Sequence, residues 1–193
     1  MSLDLEKQLK FYGAYHHNKV NIGIHVACVP LIMATSFLLA SNSPNLPVPD
    51  YIPTIPNLPI NLGTVAAFLY GSLYILMEPV AGALLFPFIM GGAAAGNYLL
   101  STYGATASYW AGALNIVSWI AQFVGHGKYE GRAPALLDNL VQALFLAPFF
   151  VWFEVLFSLG YRPDLKARLD KAVDEEIRKF KKPQTNGAAK KEI

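Results

Sequence analysis

Long apolar runs without a charge constrain this chain more than any other feature. A helix crosses the roughly 30 Å hydrocarbon core of a bilayer with about 20 apolar residues, and such runs lie at about 21–40, 62–77, 80–100 and 107–124. Hydrophobic residues make up 54% of the 193 positions and charged ones only 15%, so the runs are not offset by a soluble domain. The sequence predicts an all-α, multi-pass integral membrane helical bundle. Its net charge of +2 is too small to suggest a nucleic-acid partner, and its single cysteine, Cys28, excludes an intramolecular disulfide. Residues 1–10 are polar and mixed in charge, which is not the pattern of a secretory signal.

Around the spans, 4–15 reads as a short amphipathic helix lying on the membrane surface. Pro30 predicts a kink in the first span. The loop 41–61 holds six of the thirteen prolines (44, 47, 49, 53, 56 and 59) and is irregular. Glu78-Pro79 makes a tight turn, and the small residues 91–96 give the third span a smooth packing face. Segment 136–159 is apolar but carries Asp138, Asn139, Gln142, Glu154 and Pro148, and 164–182 has apolar residues at helical spacing amid dense charge. Lysine and arginine occur in the N-terminus, in 128–132 and in the C-terminus, and are absent from 41–61 and 101–106. The positive-inside rule then predicts four spans with both termini cytosolic. In that arrangement 136–159 is a hairpin broken near Pro148 and docked from the cytosolic side; a five-span chain is the alternative. The domains are a membrane domain over 1–162, a cytosolic amphipathic helix over 163–182 and a disordered tail over 183–193.

The chain has four histidines, and three of them, His16, His17 and His25, stand where the polar N-terminus enters the first span. A lone histidine at such an edge is ordinarily an interfacial side chain with a satisfied hydrogen bond. Three so close, with Asn18 and Asn21 among them, point instead to a metal or catalytic site. On one continuous helix His17 and His25 would be about 12 Å apart along the axis, too far to share an ion. Asn18 is a good N-cap, so a helix starting there lets His16 and His17 fold back. The four-span topology brings His126, at the end of the fourth span, to the same face, and imidazoles suit a transition metal rather than Ca²⁺ or Mg²⁺.

Two motifs carry a family resemblance. Phe11-Tyr12-x-x-Tyr15-His16-His17-Asn18-x-x-Asn21-x-x-x-His25-x-x-x-Val29-Pro30 is the first. The second is Gln122-Phe123-Val124-Gly125-His126-Gly127, Glu130, Arg132-x-Pro134-Ala135-Leu136, Asp138-Asn139-Leu140-Val141-Gln142 and Ala147-Pro148. The chain resembles the fungal 2-hydroxy-fatty-acid dioxygenases from Leu5 to about Lys166, departing in a longer proline-rich loop at 41–61. The resemblance implies an endoplasmic-reticulum membrane enzyme that uses Fe²⁺ and O₂ to shorten 2-hydroxy fatty acids by one carbon in phytosphingosine breakdown. Under it His16, His17, His25 and His126 are the metal ligands. For such chemistry Arg132 or Lys128 is expected to pair with the substrate carboxylate, with Asn139 also on the substrate side, and Glu130, Asp138, Asn18 and Asn21 are expected to support the ligands.

Other classes fit less well. A di-iron hydroxylase or desaturase needs about twice as many histidines, and a two-histidine haem carrier leaves the adjacent His16-His17 pair unexplained. A non-enzymatic lipid-binding or scaffold protein with a structural metal site explains the spans and contact with membrane lipid, but not an open cluster of imidazoles. Last, Lys190-Lys191-Glu192-Ile193 has the spacing of a dilysine retrieval signal for the endoplasmic reticulum.

Overall fold

The computed structural model describes residues 4–49, 51, 54–131 and 140–181, without the side chains of 141, 142, 180 and 181. Among these residues every regular element is a helix: α1 (Leu5–Tyr15), α2 (Lys19–Ala40), α3 (Leu62–Met77), α4 (Pro79–Tyr103), α5 (Ala105–Val124), a π-helical turn (Gly125–Glu130), α6 (Leu140–Ser158) and α7 (Pro163–Lys181). The starts are set by local chemistry. The Asp4 and Asn18 side chains cap α1 and α2, and Asn61 caps α3. Glu78 ends α3 and caps α4, with Pro79 at the first helical position, where its missing N–H costs nothing.

Helix α2 is the hub, touching α3, α4, α5, α6 and the π-turn, while α3 and α4 form a tight antiparallel pair. The interior is aromatic: Tyr74 and Phe149 are fully buried and stack at 4.6 Å, and Phe153 meets Phe149 edge-on at 5.1 Å. Large apolar side chains also cover the outside, Phe68, Leu76, Phe88, Trp110, Ile116 and Val117 among them, as expected where the solvent is lipid. By length and hydropathy, α2 and α4 can each cross a membrane alone. The bent pair formed by α6 and α7 makes a third crossing if counted as one span, and α3 is apolar but short. Two to three crossings thus meet that test, against the four expected from charge bias.

Two expectations are corrected. The break in the C-terminal hairpin is not at Pro148. Helix α6 runs through that residue, and the 118° bend falls between Ser158 and Pro163. A proline leaves the carbonyl four residues earlier without its helical donor. Here the Tyr70 hydroxyl donates to the Leu144 carbonyl (3.5 Å) and the Tyr74 hydroxyl to that of Phe145 (2.7 Å), so α3 repairs the ladder. At the true bend Gly160 (φ 83°) and Arg162 (φ 47°) take left-handed conformations. The second concerns α1, read as a helix with its apolar side on the membrane surface: that side is covered by protein. It packs against α7 and α6, burying Leu9, Tyr12 and Tyr15, and Arg168–Glu6 and Lys10–Glu176 ion pairs fasten its outer edge.

Candidate metal centre

Folding α1 into the bundle delivers His16. The residue follows the last turn of α1, and its ring stacks on Tyr12 at 3.9 Å. His25 lies in the second turn of α2, and His126 comes from the π-turn that follows α5. The three imidazoles meet edge to face, with centroids 4.4 Å (16–25), 4.8 Å (16–126) and 4.9 Å (25–126) apart, and all three are buried. One potential ligand atom from each lies within 4.8 Å of the others. Nitrogens each about 2.0–2.1 Å from a shared ion are at most about 4 Å apart, so small ring rotations would close this set on one ion.

The hydrogen bonds fix which nitrogens are free. His16 Nδ1 donates to the Tyr12 carbonyl (3.0 Å) and His25 Nδ1 to that of Asn21 (2.9 Å). A carbonyl can only accept, so both Nδ1 atoms carry hydrogen and both Nε2 atoms keep a lone pair, the arrangement a metal-binding histidine needs. His126 Nδ1 is buried and has no hydrogen-bond partner. Burial holds His16 well below the ordinary imidazole range, and the neighbouring His25 adds to this against the Tyr12 carbonyl bond. Burial, then His25, lowers His126 to about 4, with Glu130 opposing. The rings at 16 and 126 are therefore neutral at neutral pH and able to donate lone pairs. On these grounds the donor set fits a transition metal.

Glu130 holds the frame. Its carboxylate accepts from the His17 N–H (2.9 Å), the Asn18 N–H (3.0 Å) and Asn21 Nδ2 (3.1 Å), tying the start of α2 to the π-turn. These bonds replace the expected contact to an imidazole N–H: Glu130 fixes the histidines through the backbone. The turn itself is enabled by two glycines. A Cβ on Gly125 would stand 2.5 Å from Asn21 Oδ1, and Gly131 (φ 66°) closes the turn in a left-handed conformation, donating to the His126 carbonyl. Single π-turns of this kind concentrate at functional sites.

The expected residues divide accordingly. His16, His25 and His126 come together, with Asn18 as cap and Asn21 as a buried strut. His17 does not join them: its side chain is exposed, because the chain leaves α1 with His16 turned inward and its neighbour outward. Lys128 is also exposed, over the Tyr129 ring at 5.5 Å. Arg132, Asp138 and Asn139 lie outside the described residues. Tyr12 and Gln122 were not singled out as site residues from sequence. Both are buried with a polar atom unpaired, Tyr12 OH against His16 and Gln122 Nε2 four residues before His126. On the outer side, a cavity of about 410 Å³ between α1, α6 and α7 is lined by His16, His17, Lys19, Glu154, Lys166 and Asp170, among others.

A bundle of lipid-facing helices closed over three buried imidazoles defines a helical membrane protein with a candidate transition-metal centre. Known proteins narrow that class. The profile of 2-hydroxy-palmitic acid dioxygenase Mpo1-like proteins matches residues 2–159. The chain is 40% identical over 168 residues to the 2-hydroxy-palmitic acid dioxygenase MPO1 of Saccharomyces cerevisiae, covering 87% of this chain and 88% of the yeast protein. No solved structure matches it significantly. The chain belongs to the Mpo1-like 2-hydroxy-palmitic acid dioxygenase family.

Proposed function

We propose that this protein is an Fe²⁺-dependent dioxygenase that converts long-chain 2-hydroxy fatty acids to the acid one carbon shorter, as a step in phytosphingosine degradation. The observation that carries this reading is the triad of buried imidazoles in a chain 40% identical to a 2-hydroxy-palmitic acid dioxygenase. The stoichiometry closes without an external reductant. RCH(OH)COOH and O₂ give RCOOH, CO₂ and H₂O, the substrate losing four electrons and O₂ gaining them.

His16, His25 and His126 would hold the ion, which supplies redox chemistry toward O₂ and Lewis acidity toward the 2-hydroxyl and carboxylate. Three protein ligands leave positions for both. The Tyr12 and Asn21 carbonyls orient His16 and His25, and Glu130 holds the α1–α2 junction against the π-turn. Stacking of Tyr12 on His16 and the buried faces of α2 and α6 exclude bulk water from the inner side. Arg132, with Lys128 and Asn139, is assigned to the carboxylate; a guanidinium can pair with it bidentately. His17 is assigned no metal contact.

The enzyme is placed in the endoplasmic-reticulum membrane with both termini cytosolic. Support comes from the charge bias of the loops and from Lys190-Lys191, which lie outside the described residues. Changing both lysines to serine should release part of the protein to later compartments; full retention would remove the signal reading. The activity is tested by loading purified protein with Fe²⁺ anaerobically, then adding O₂ and 2-hydroxypalmitic acid. Appearance of the 15-carbon acid supports the reading, and unchanged substrate refutes it.

A further inference from the structure

A cavity of about 110 Å³ lies between α2, α5 and α6. It continues the histidine-bearing stripe of α2. Val29, Ile32 and Ser36 line it from α2, at four, seven and eleven residues beyond His25. Trp119 and Gln122 line it from α5, seven and four residues before His126. On α2 these spacings keep one face, so the cavity lies on the side of α2 that carries His25, and on α5 it lies just before the π-turn that carries His126. Met33, Phe37 and Pro148 line both this cavity and a second one of about 340 Å³ between α2, α4 and α6. The second cavity is lined by apolar residues, Leu85, Ile89, Val151 and Trp152 among them. An unbranched thioether such as Met33 is the side chain best able to yield between the two. The outer cavity beside His16 suits an alkyl chain less, being ringed by Lys19, Glu154, Lys166, Asp170 and Asp174.

Near the top of the inner cavity sits one polar anomaly. Gln122 is 8% exposed and its Nε2 has no hydrogen-bond partner. A buried unpaired donor costs about 1–3 kcal/mol, so a leucine of similar size would make the better structural residue. The missing acceptor belongs one helical turn inward of His126, on the chain side of anything bound at the triad.

We propose that Gln122 recognises the 2-hydroxyl group of the substrate, and that the alkyl chain runs inward past Trp119 and Met33 into the cavity beside Trp152. This rests on the 2-hydroxy fatty acid reading above and adds to it the residue that distinguishes hydroxylated from plain fatty acids. The hydroxyl oxygen accepts from Gln122 Nε2–H, and its position next to the carboxyl carbon matches the one-turn offset. A site built to bond a hydroxyl rejects the analogue that lacks it, because the polar group is left unpaired.

The three tryptophans make the path measurable, since Trp119 and Trp152 line the inner and second cavities and Trp110 lies elsewhere. In full-length protein, Trp110→Phe with Trp152→Phe leaves Trp119 as the sole reporter, and Trp110→Phe with Trp119→Phe leaves Trp152. Saturable quenching by 2-hydroxypalmitic acid brominated near the head should be strongest at Trp119, and by acid brominated near the chain end at Trp152. Gln122→Leu should keep the thermal midpoint at or above that of the parent. It should also shrink the preference for 2-hydroxy over non-hydroxylated acid, read as a ratio of dissociation constants, by about tenfold. Gln122→Met, which has the same length and no N–H or oxygen to bond the hydroxyl, should lose the preference as well. An unchanged ratio in both variants, or saturable binding with the reverse or no quenching order, overturns this proposal while turnover of the parent protein stands. If the parent neither binds nor turns over 2-hydroxy acids, the enzymatic reading fails and this one with it.

Discussion

Helix α2 joins two groups of buried polar side chains that differ in one respect. At its C-terminal end Ser41, Asn61, Thr64 and Asn97 form a closed network. Asn61 Nδ2 donates to Asn97 Oδ1 (2.7 Å), Asn97 Nδ2 to Thr64 Oγ1 (3.2 Å), and the Ser41 hydroxyl to the Phe37 carbonyl (2.9 Å). About 24 Å away along the helix, the histidine end leaves Tyr12 OH, Asn21 Oδ1, Gln122 Nε2 and His126 Nδ1 without partners. These four are the unpaired buried side-chain atoms among the described residues, and all belong to one end. Native proteins satisfy nearly all such atoms. The satisfied network holds helices together; the unsatisfied one is shaped for something that arrives later.

The strongest way to break this contrast is to truncate one residue at each end. His126→Ala removes an unpaired group, so the protein should stay folded while turnover falls below detection. Asn61→Ala strands Asn97 Oδ1 and the Thr64 N–H that Asn61 caps, and should cost about 3 kcal/mol of stability while surviving protein stays active. Denaturation midpoints and specific activities of both variants check this; the opposite pattern would mean the two ends have exchanged roles. A smaller effect should follow from Glu130→Gln. One oxygen that accepts from the α2 N-terminus becomes a donor facing other donors, and losing such support commonly costs about 10–100-fold in activity or metal affinity. Near-normal kinetics with iron retained would show that the α1–α2 clamp is dispensable.

How much of this was legible in the sequence follows the range of the interactions. The four helices α2 to α5 announce themselves through uncharged runs and caps such as Asn18 and Glu78, which act over a few residues. His16, His25 and His126 were legible only within the wider set of four histidines expected to share one face, His17 included. What sequence could not show is long-range. Whether His16 or His17 turns inward depends on α1 packing on α6 and α7, and Pro148 passes unbroken because two tyrosines of α3 serve its carbonyls. Glu130 looked like an imidazole partner because its backbone donors, His17 and Asn18, are more than a hundred positions away. Gly125 and Gly127 flanking His126 were the available sign of an unusual turn.

The smallest expected effect is on pH dependence. His16 and His126 are held below the ordinary value of 6.5, His126 at about 4, with His25 and Glu130 the charged or titratable groups facing them. Between these limits the unfolded chain binds protons that the folded one does not, so stability rises with pH. Metal-free protein should be fully stable above pH 6.5 and lose stability as pH falls through the window toward 4. The Asn61 network contains no group titrating there, so His126→Gln should flatten the profile. A profile unchanged by that variant would place the acid-sensitive group elsewhere.

Metal content shows whether three of the four histidines form one metal site. Protein reconstituted anaerobically with Fe²⁺ and freed of excess ion should hold one iron per chain. His16→Ala, His25→Ala and His126→Ala should each hold close to none, and His17→Ala should match the parent. Iron retained at parental stoichiometry by any of the first three, or lost from His17→Ala alone, would contradict that site.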